Sequence, residues 1–364
     1  MSRRPWVLLN PGPVNVTPAV RRALLGPDIC HREPEFSRLL SRVRGKLLGL
    51  FGAARTHRLA LFSGSGTTAL EAMMASFAHP RLRTLVLSNG VYGRRLAAAL
   101  EVRGLPVRVL ESPLGSFPST RQIEIELRRP SVHAVAMVHH ETSTGMLNPL
   151  HAVKRLARKH RKFLLVDAIS SLGAETLELG GIDLLAGTSG KCLHGFPGIS
   201  FVFVSRRAER ELARRPKRSL YLDLGEALRQ TGRGETSFTP AVQVLYALDA
   251  ALDALSRGSL KARIADYRRK SGLLWNGLER LGVRALLPPA ARSHVLAAFH
   301  TPEGSSYRAL HDRLKKSGFV IYAGQSSLEG RIFRVANLGE VSMTDLRRFL
   351  KSFASALRGR KARG

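Results

Sequence analysis

A single lysine, Lys191, stands in a glycine-rich turn directly after a predicted strand. The stretch LLAGTSGKCLHGFPG covers residues 184–198, so an apolar run ends in small polar residues before the lysine. Most of the other basic residues lie on helix-like segments such as KRLARKHRK at 154–162. A lysine amine kept apart from solvated faces can act as a nucleophile on a carbonyl carbon. The position therefore predicts covalent chemistry on an aldehyde or a ketone.

An aspartate follows the preceding predicted strand. Asp167 lies in FLLVDAISS, at the end of an apolar run. A carboxylate in such a place is costly unless it is paired or hydrogen-bonded. The residue is either a functional acid facing a cation or a structural aspartate bonded to backbone, and we favour the functional interpretation.

Glycines and hydroxyls come after an earlier strand, where a helix begins. The segment SGSGTTALEA at 63–72 would direct backbone N–H groups and a helix dipole at one point, which makes an anion site. Its spacing is neither the dinucleotide fingerprint nor a P-loop. An ordinary capped helix with a flexible entry would explain the same residues.

Two further strand ends carry candidate residues. Tyr92 lies between glycines in NGVYGRR and could lie flat against a ring, although a lone tyrosine is more often a core residue. The segment HHETSTG begins with the adjacent histidines His139 and His140. Neighbouring residues of a strand point to opposite faces, so these two side chains are poorly placed to bind one metal ion. We predict no metal site.

These features match the needs of one cofactor. Pyridoxal 5'-phosphate requires a lysine for its aldehyde, an acid for its pyridine nitrogen, a flat residue against its ring and an anion site for its phosphate. The chain offers all four at four strand ends. Each signal is weak alone, and together they are specific.

The elements that would position these residues alternate along the chain. Apolar runs separated by amphipathic segments predict an α/β fold with a mainly parallel sheet covered on both faces, whose ligands bind at the carboxyl ends of the strands. The predicted strands are 59–64, 84–90, 107–112, 134–140, 163–168, 184–189 and 199–205. The predicted helices between them include 68–78, 92–102 and 150–160.

The pattern changes after Arg233. A long helical stretch runs to about Leu281, short strands are predicted at 294–300, 318–324 and 332–339, and a closing helix follows. We expect a large domain at 14–245 and a smaller α+β domain made of 1–13 and 246–364.

Composition narrows the class of protein. The chain has 364 residues, enough for a sizeable core, and lacks the roughly 20-residue apolar run of a membrane helix. Its two cysteines, Cys30 and Cys192, favour a reducing cytoplasm over a disulfide framework. The net charge of +31 raises a nucleic-acid-binding alternative. Zinc-finger spacing and aromatic RNA-binding signatures are lacking, so we favour solvated surface charge.

The sequence resembles the class V aminotransferases, which are pyridoxal-phosphate enzymes of fold type I. The resemblance covers nearly the whole chain, from NPGPVNVTPAVRRAL through HHETSTGMLNP and SGKCLHGFPG to FRVANLGE. It implies a large domain with a mainly parallel seven-stranded sheet and a smaller C-terminal domain. Within the class, KCLHGFPGISFV, SFTPAVQVLYAL and FRVANLGEV are most similar to the 2-aminoethylphosphonate–pyruvate aminotransferases. The alanine–glyoxylate and serine–pyruvate aminotransferases are the alternatives.

The resemblance assigns roles by position. Lys191 would bond the cofactor aldehyde and move the proton, Asp167 would pair with the pyridine nitrogen, and Tyr92 would stack on the ring. The other implied cofactor contacts are Ser65, Gly66 and Thr67 for the phosphate, Thr142 near the ring hydroxyl, and Thr239 for a phosphate in the second subunit of a homodimer. Arg334 would bind the acidic group of an amino donor or of a 2-oxo acid acceptor.

Two departures from the family pattern stand out. Gly190 replaces an amide residue that many relatives carry before the lysine, so one cofactor contact is expected to be missing or supplied by water. The segment CHREPEF follows the general class V pattern more than the variant of some aminoethylphosphonate enzymes. A lyase or desulfurase on the same scaffold ranks low, because neither Cys30 nor Cys192 lies on a C-terminal loop.

Overall fold

The structure, a computed structural model, describes residues 6–358. The strands are β1 (Val7–Leu8), β2 (His57–Gly64), β3 (Arg83–Ser88), β4 (Val107–Glu111), β5 (Val132–Val138), β6 (His140–Glu141), β7 (Met146–Leu147), β8 (Phe163–Asp167), β9 (Leu184–Thr188), β10 (Gly198–Ser205), β11 (Leu296–His300), β12 (Phe319–Val320), β13 (Tyr322–Ala323) and β14 (Ile332–Ala336). The helices are α1 (Pro18–Arg22), α2 (Pro34–Leu50), α3 (Gly66–Phe77), α4 (Val91–Glu101), α5 (Thr120–Leu127), α6 (Leu150–Lys159), α7 (Arg206–Leu212), α8 (Leu224–Arg233), α9 (Val242–Gly258), α10 (Leu260–Arg280), α11 (Tyr307–Lys316) and α12 (Met343–Arg358).

Seven strands form the central sheet in the order β2-β10-β9-β8-β5-β3-β4. Only β10 runs antiparallel to its neighbours β2 and β9, and the other pairs are parallel. The predicted mainly parallel seven-stranded sheet is therefore confirmed.

Both faces of this sheet are buried. Along β5, Val135 and Met137 pack into one apolar cluster, while Ala134 and Ala136 pack into another on the opposite face. The alternation follows from the two-residue period of a strand. Because helices cover both faces, the sheet has no solvated side, and only its strand ends are open to a ligand.

The predicted strand at 134–140 begins and ends two residues later than the observed strand β5. β5 ends at Val138, and His140 belongs to β6, which pairs with β7 outside the central sheet. The chain turns away because the side chain of Asn148 donates to the Val138 carbonyl at 2.8 Å and the Asn148 backbone N–H donates to the carbonyl of His139. The turn carries the HHETSTG segment across the carboxyl end of the sheet.

The C-terminal part forms a smaller α+β unit. β11, β14 and β13 make an antiparallel sheet, with apolar side chains of α10, α11 and α12 packed against it. The single strand predicted at 318–324 is wrong. It divides at Ile321, so that β12 pairs with β1 and β13 pairs with β14.

The N-terminal segment links this unit to the strand ends of the central sheet. β1 pairs in parallel with β12, and the backbone N–H of Ala336 donates to the carbonyl of Leu9 at 2.8 Å. The predicted division at 245–246 falls inside α9, and it stays a prediction. Across residues 6–358, no helix combines the length and the apolar character needed to span a membrane.

Candidate active site

A cavity of about 180 Å³ lies at the carboxyl end of the central sheet. It is walled by the ends of β5 and β8, the start of α3 and the turn after β9. The predicted site residues that line it are Ser65, Gly66, Thr67, Tyr92, Thr142, Asp167 and Lys191. Residues far apart in the sequence meet here because parallel strands deliver their following residues to one edge.

Lys191 extends from the turn after β9 and is half-buried. Its Nζ donates to the carbonyl of Pro11, so the N-terminal segment covers the amine. Gly12 has a φ of +118°, a backbone conformation that side chains rarely adopt, and a Cβ there would also crowd this Nζ. Burial lowers the pKa of Lys191, with smaller contributions from Arg95 and Arg334. A lysine with a lowered pKa has a larger neutral, nucleophilic fraction.

The turn that carries Lys191 leaves no room for a side chain at residue 190. A Cβ on Gly190 would lie 2.8 Å from both the Cα and the backbone N of Pro197. The turn is closed by the Ser189 hydroxyl, which donates to the carbonyls of Phe196 and Ile199. The glycine that departs from the family pattern is therefore required by the way this turn packs on itself.

Asp167 ends β8 and is buried, with 3% of its surface exposed. Its Oδ1 accepts a hydrogen bond from the backbone N–H of Ile169 at 2.9 Å. No cation among residues 6–358 forms an ion pair with it, although the sequence predicted a cationic partner. Burial raises the pKa of Asp167 to about 6, and Lys191 and Arg95 offset part of the rise. A cation in the cavity would stabilise the carboxylate.

The anion end of the cavity is the first turn of α3. Ser65 is the N-cap residue, and its side chain makes no capping hydrogen bond, so the hydroxyl stays free for a ligand. A Cβ on Gly66 would approach Ile169 Cδ1 to 2.8 Å, which explains a glycine there. With Thr67, these residues offer a hydroxyl pair and a helix N-terminus to an anion.

Tyr92 stands in the first turn of α4 and faces the same cavity. The start of this helix is capped by a buried carboxylate that the sequence analysis did not single out. Glu141 Oε2 accepts from the backbone N–H groups of Tyr92 at 3.2 Å and Gly93 at 3.1 Å. Its Oε1 accepts from the Ser143 hydroxyl at 2.5 Å. Glu141 thus joins the helix that carries Tyr92 to the loop that carries Thr142.

Arg334 lies on β14, fully buried, and approaches the cavity from the smaller unit. Its Nη1 donates to the carbonyl of Thr142 at 2.8 Å, and its Nε donates to the carbonyl of Ala323 at 2.8 Å. Its Nη2 is buried and has no hydrogen-bond partner among the described residues. Burial lowers the pKa of Arg334. An unpartnered buried guanidinium N–H is a ready donor for an acidic ligand.

Two predicted site residues do not line the cavity: Arg334, which bonds to its Thr142, and Thr239. Thr239 is exposed and lies in a segment beside Phe238, whose ring stacks on that of Tyr221 at 5.2 Å. The Tyr221 hydroxyl donates to the carbonyl of Ser63, two residues before the anion turn. Thr239 therefore lies outside the wall of this cavity, and its predicted role in a second subunit stays a prediction.

The family model of the class-V aminotransferases matches residues 23–343. The 2-aminoethylphosphonate–pyruvate transaminase of Vibrio cholerae is 34% identical over 361 residues, which cover 97% of this chain and 98% of that protein. The chain belongs to the class V aminotransferases.

Solved structures of other aminotransferases share the fold. A subgroup IV aspartate aminotransferase from Thermus thermophilus superposes with a TM-score of 0.88 at 31% identity, covering 97% of this chain and 99% of that one. An alanine–glyoxylate aminotransferase from Nostoc gives a TM-score of 0.92 at 28% identity, and the superposition covers 98% of this chain and 97% of that one. The expected fold, enzyme class and dependence on pyridoxal phosphate are confirmed.

The cavity of this class V aminotransferase fits that cofactor. Asp167 offers a buried carboxylate of raised pKa where a protonated ring nitrogen would compensate its charge. Ser65 keeps its hydroxyl unused at a helix N-terminus, and Lys191 lines the same space. The donor set therefore suits the aldehyde, the ring nitrogen and the phosphate.

The sequence analysis missed two residues that line this cavity, Arg95 and His140. Arg95 follows Tyr92 by three residues on a predicted helix, and this spacing could have identified it. His140 is buried between the Ser170 carbonyl and the Ser293 hydroxyl, and burial lowers its pKa to about 4. No signal distinguished it, because its partners come from distant segments.

Proposed function

We propose that this aminotransferase moves the amino group of 2-aminoethylphosphonate to pyruvate, giving phosphonoacetaldehyde and alanine. The names of its curated relatives support the substrate pair. The observation that carries the proposal is the free Nη2 of the fully buried Arg334 beside the cavity. The planar fork of a guanidinium can donate two hydrogen bonds either to a phosphonate or to a carboxylate, so one residue can bind the amino donor and then the acceptor.

The proposed roles follow from the positions of the side chains. Bound pyridoxal phosphate would supply an aldehyde and an electron-accepting ring. Lys191 Nζ would remove the proton from the substrate carbon that bears the amine, and its lowered pKa favours the required neutral form. Asp167 would hold the ring nitrogen in its protonated state, and Tyr92 would fix the plane of the ring.

The phosphate would be held by Ser65, Gly66 and Thr67, with Thr142 near the ring hydroxyl. The substrate that loses its amino group leaves as an aldehyde, and the acceptor gains that amino group with a proton returned by Lys191. Glu141 would keep Tyr92 in place through the backbone of α4.

We propose further that the enzyme is a cytoplasmic homodimer whose Thr239 reaches the phosphate in the other subunit. Leu220, Tyr221 and Phe238 are large apolar side chains that lie exposed, by 85%, 45% and 38%, around the segment of Thr239. An apolar patch of this kind is a contact surface in many assemblies. Both cysteines, Cys30 and Cys192, are free thiols, which is compatible with the cytoplasm.

A substrate panel tests the proposed function. The purified enzyme is given 2-aminoethylphosphonate, alanine or serine as donor, with pyruvate or glyoxylate as acceptor, and kcat/KM is measured for each pair. The proposal expects the phosphonate with pyruvate to give the highest value. An alanine–glyoxylate or serine–pyruvate aminotransferase would instead show a clear preference for its amino acid donor.

A further inference from the structure

Arg95 is a cationic side chain of the cavity wall to which no role has been assigned. It lies on α4 one turn after Tyr92, so both side chains project from the same face of the helix. Its Cζ lies 4.6 Å from the centroid of the Tyr92 ring, and this cation–π contact directs the guanidinium toward the cavity that both residues line.

The charge of Arg95 is not balanced by the protein. Within residues 6–358, no carboxylate lies within ion-pair distance of its guanidinium. The adjacent Arg94, by contrast, forms ion pairs with Glu101 at 3.2 Å and with Glu111 at 3.5 Å. Both side chains are exposed, but Arg94 is paired with carboxylates, whereas Arg95 has no carboxylate partner among residues 6–358 and lines the cavity.

The position of Arg95 indicates which ligand group it faces. It lines the cavity together with Thr67, and these two residues and Leu70 also line an adjoining hollow of about 140 Å³. Arg95 therefore shares both hollows with Thr67 of the first turn of α3, and its charge also acts on Asp167 and Lys191. Arg334, by contrast, does not line this cavity and bonds to the carbonyl of Thr142, which does.

We propose that Arg95 binds the phosphate of pyridoxal phosphate and completes the anion site that begins with Ser65, Gly66 and Thr67. The inference rests on the proposed cofactor roles of those residues. The neutral hydroxyls and N–H groups of α3 donate hydrogen bonds but carry no full charge, whereas a guanidinium pairs with a phosphate dianion through two parallel hydrogen bonds. The cation–π contact with Tyr92 orders the side chain before the cofactor arrives.

The test compares two ligands that differ only in the phosphate. Cofactor-free wild type, Arg95→Ala, Arg95→Lys and the matched control Arg94→Ala are titrated with pyridoxal phosphate and with pyridoxal, and Kd is read from the absorbance of the bound ligand. Arg95→Ala should raise the Kd for pyridoxal phosphate by about tenfold to a hundredfold, which is the range of one charged hydrogen bond. The Kd for pyridoxal should stay unchanged. Arg95→Lys should recover part of the loss, and Arg94→Ala should match wild type.

Three outcomes would overturn the proposal. Equal weakening of both ligands by Arg95→Ala would mean that Arg95 only supports Tyr92. Unchanged binding of pyridoxal phosphate with a raised KM for the amino donor would place the substrate acid group at Arg95 instead. An equal loss in Arg94→Ala would indicate a general field effect of the charge on α4. A wild-type protein that takes up neither ligand would contradict the proposed function itself, and is thereby distinguished from a failure of the Arg95 inference.

Discussion

At the scale of single residues, Asp167 shows how a buried acid is kept for a ligand. Its carboxylate has one backbone donor and no cation at ion-pair distance among the described residues. The negative charge of this buried group therefore lowers the stability of the cofactor-free protein. Burial raises its pKa from 3.8 to about 6, so the folded protein binds this proton more tightly than the unfolded chain does. The resulting stability is fully present below the unfolded pKa and is lost as the pH rises through about 6.

Asp167→Asn should therefore stabilise the cofactor-free protein at neutral pH. The gain relative to wild type should grow between about pH 4 and pH 7, up to about 3 kcal/mol for a shift of two pKa units. Urea unfolding of both cofactor-free proteins across this pH range measures it. A stability difference that stays constant with pH would show that Asp167 keeps an ordinary pKa in the folded state.

The same scale shows what sequence could and could not predict. Lys191 and Asp167 were predicted because each breaks the expected composition of its segment, a lysine in a glycine turn and an acid in an apolar strand. The resemblance suggested Arg334, but only the structure shows its complete burial and its free Nη2. Arg95 was not predicted, although its three-residue spacing from Tyr92 on a predicted helix distinguishes it from Arg94 beside it.

At the scale of elements, the turn between β9 and β10 is built around the absence of a side chain at residue 190. The predicted departure from the family pattern thus has a steric cause, because Gly190 packs directly on the backbone of Pro197. The sequence could not reveal this contact, which depends on how the turn folds back on itself.

Gly190→Ala should lower the free energy of unfolding by about 1–3 kcal/mol, since the added Cβ meets backbone that cannot give way. The matched control is Gly272→Ala in α10, where an added Cβ would have no atom within 4 Å. That control should be stabilised by about 0.5–1 kcal/mol through helix propensity. Denaturant unfolding of the two variants checks both signs. A neutral Gly190→Ala would contradict the steric account of the turn.

Element boundaries were predicted well where a strand is buried on both faces and poorly where it changes partners. β8 and β9 lie within one residue of their predicted bounds, because their apolar runs end at polar residues. The stretch at 318–324 reads as one apolar strand, yet Ile321 divides it between two sheets. Pairing with β1, more than 300 residues away in sequence, leaves no local signal.

At the scale of the whole molecule, the basic residues that give the chain its charge are expected on the surface, and α6 shows this arrangement. On α6, Val153 and Leu156 face the core, while Arg155, Arg158 and Lys159 are exposed. The predicted solvated faces are confirmed for this helix.

The proposed dimer is a separate property of the whole molecule. If each active site uses residues of both subunits, two different inactive chains should restore activity when they pair.

Lys191→Ala and Thr239→Asp should each inactivate the enzyme alone, the first by removing the amine and the second by repelling the phosphate of the partner's cofactor. Co-expressed in equal amounts, they should recover about a quarter of wild-type activity in the whole mixture, because half the dimers are mixed and each mixed dimer holds one complete site. Activity of the unfractionated mixture measures this, and different tags on the two chains verify that mixed dimers are present. No recovery from verified mixed dimers would place Thr239 in its own subunit.

The central claim is that one lysine of this cavity bonds the cofactor. Purified enzyme loaded with pyridoxal phosphate is reduced with borohydride, digested, and its modified peptide is identified by mass spectrometry. The account predicts a phosphopyridoxyl group on Lys191 and on no other lysine, with none in Lys191→Ala. A modification carried by a different lysine, or a protein that retains no cofactor after loading, would contradict it.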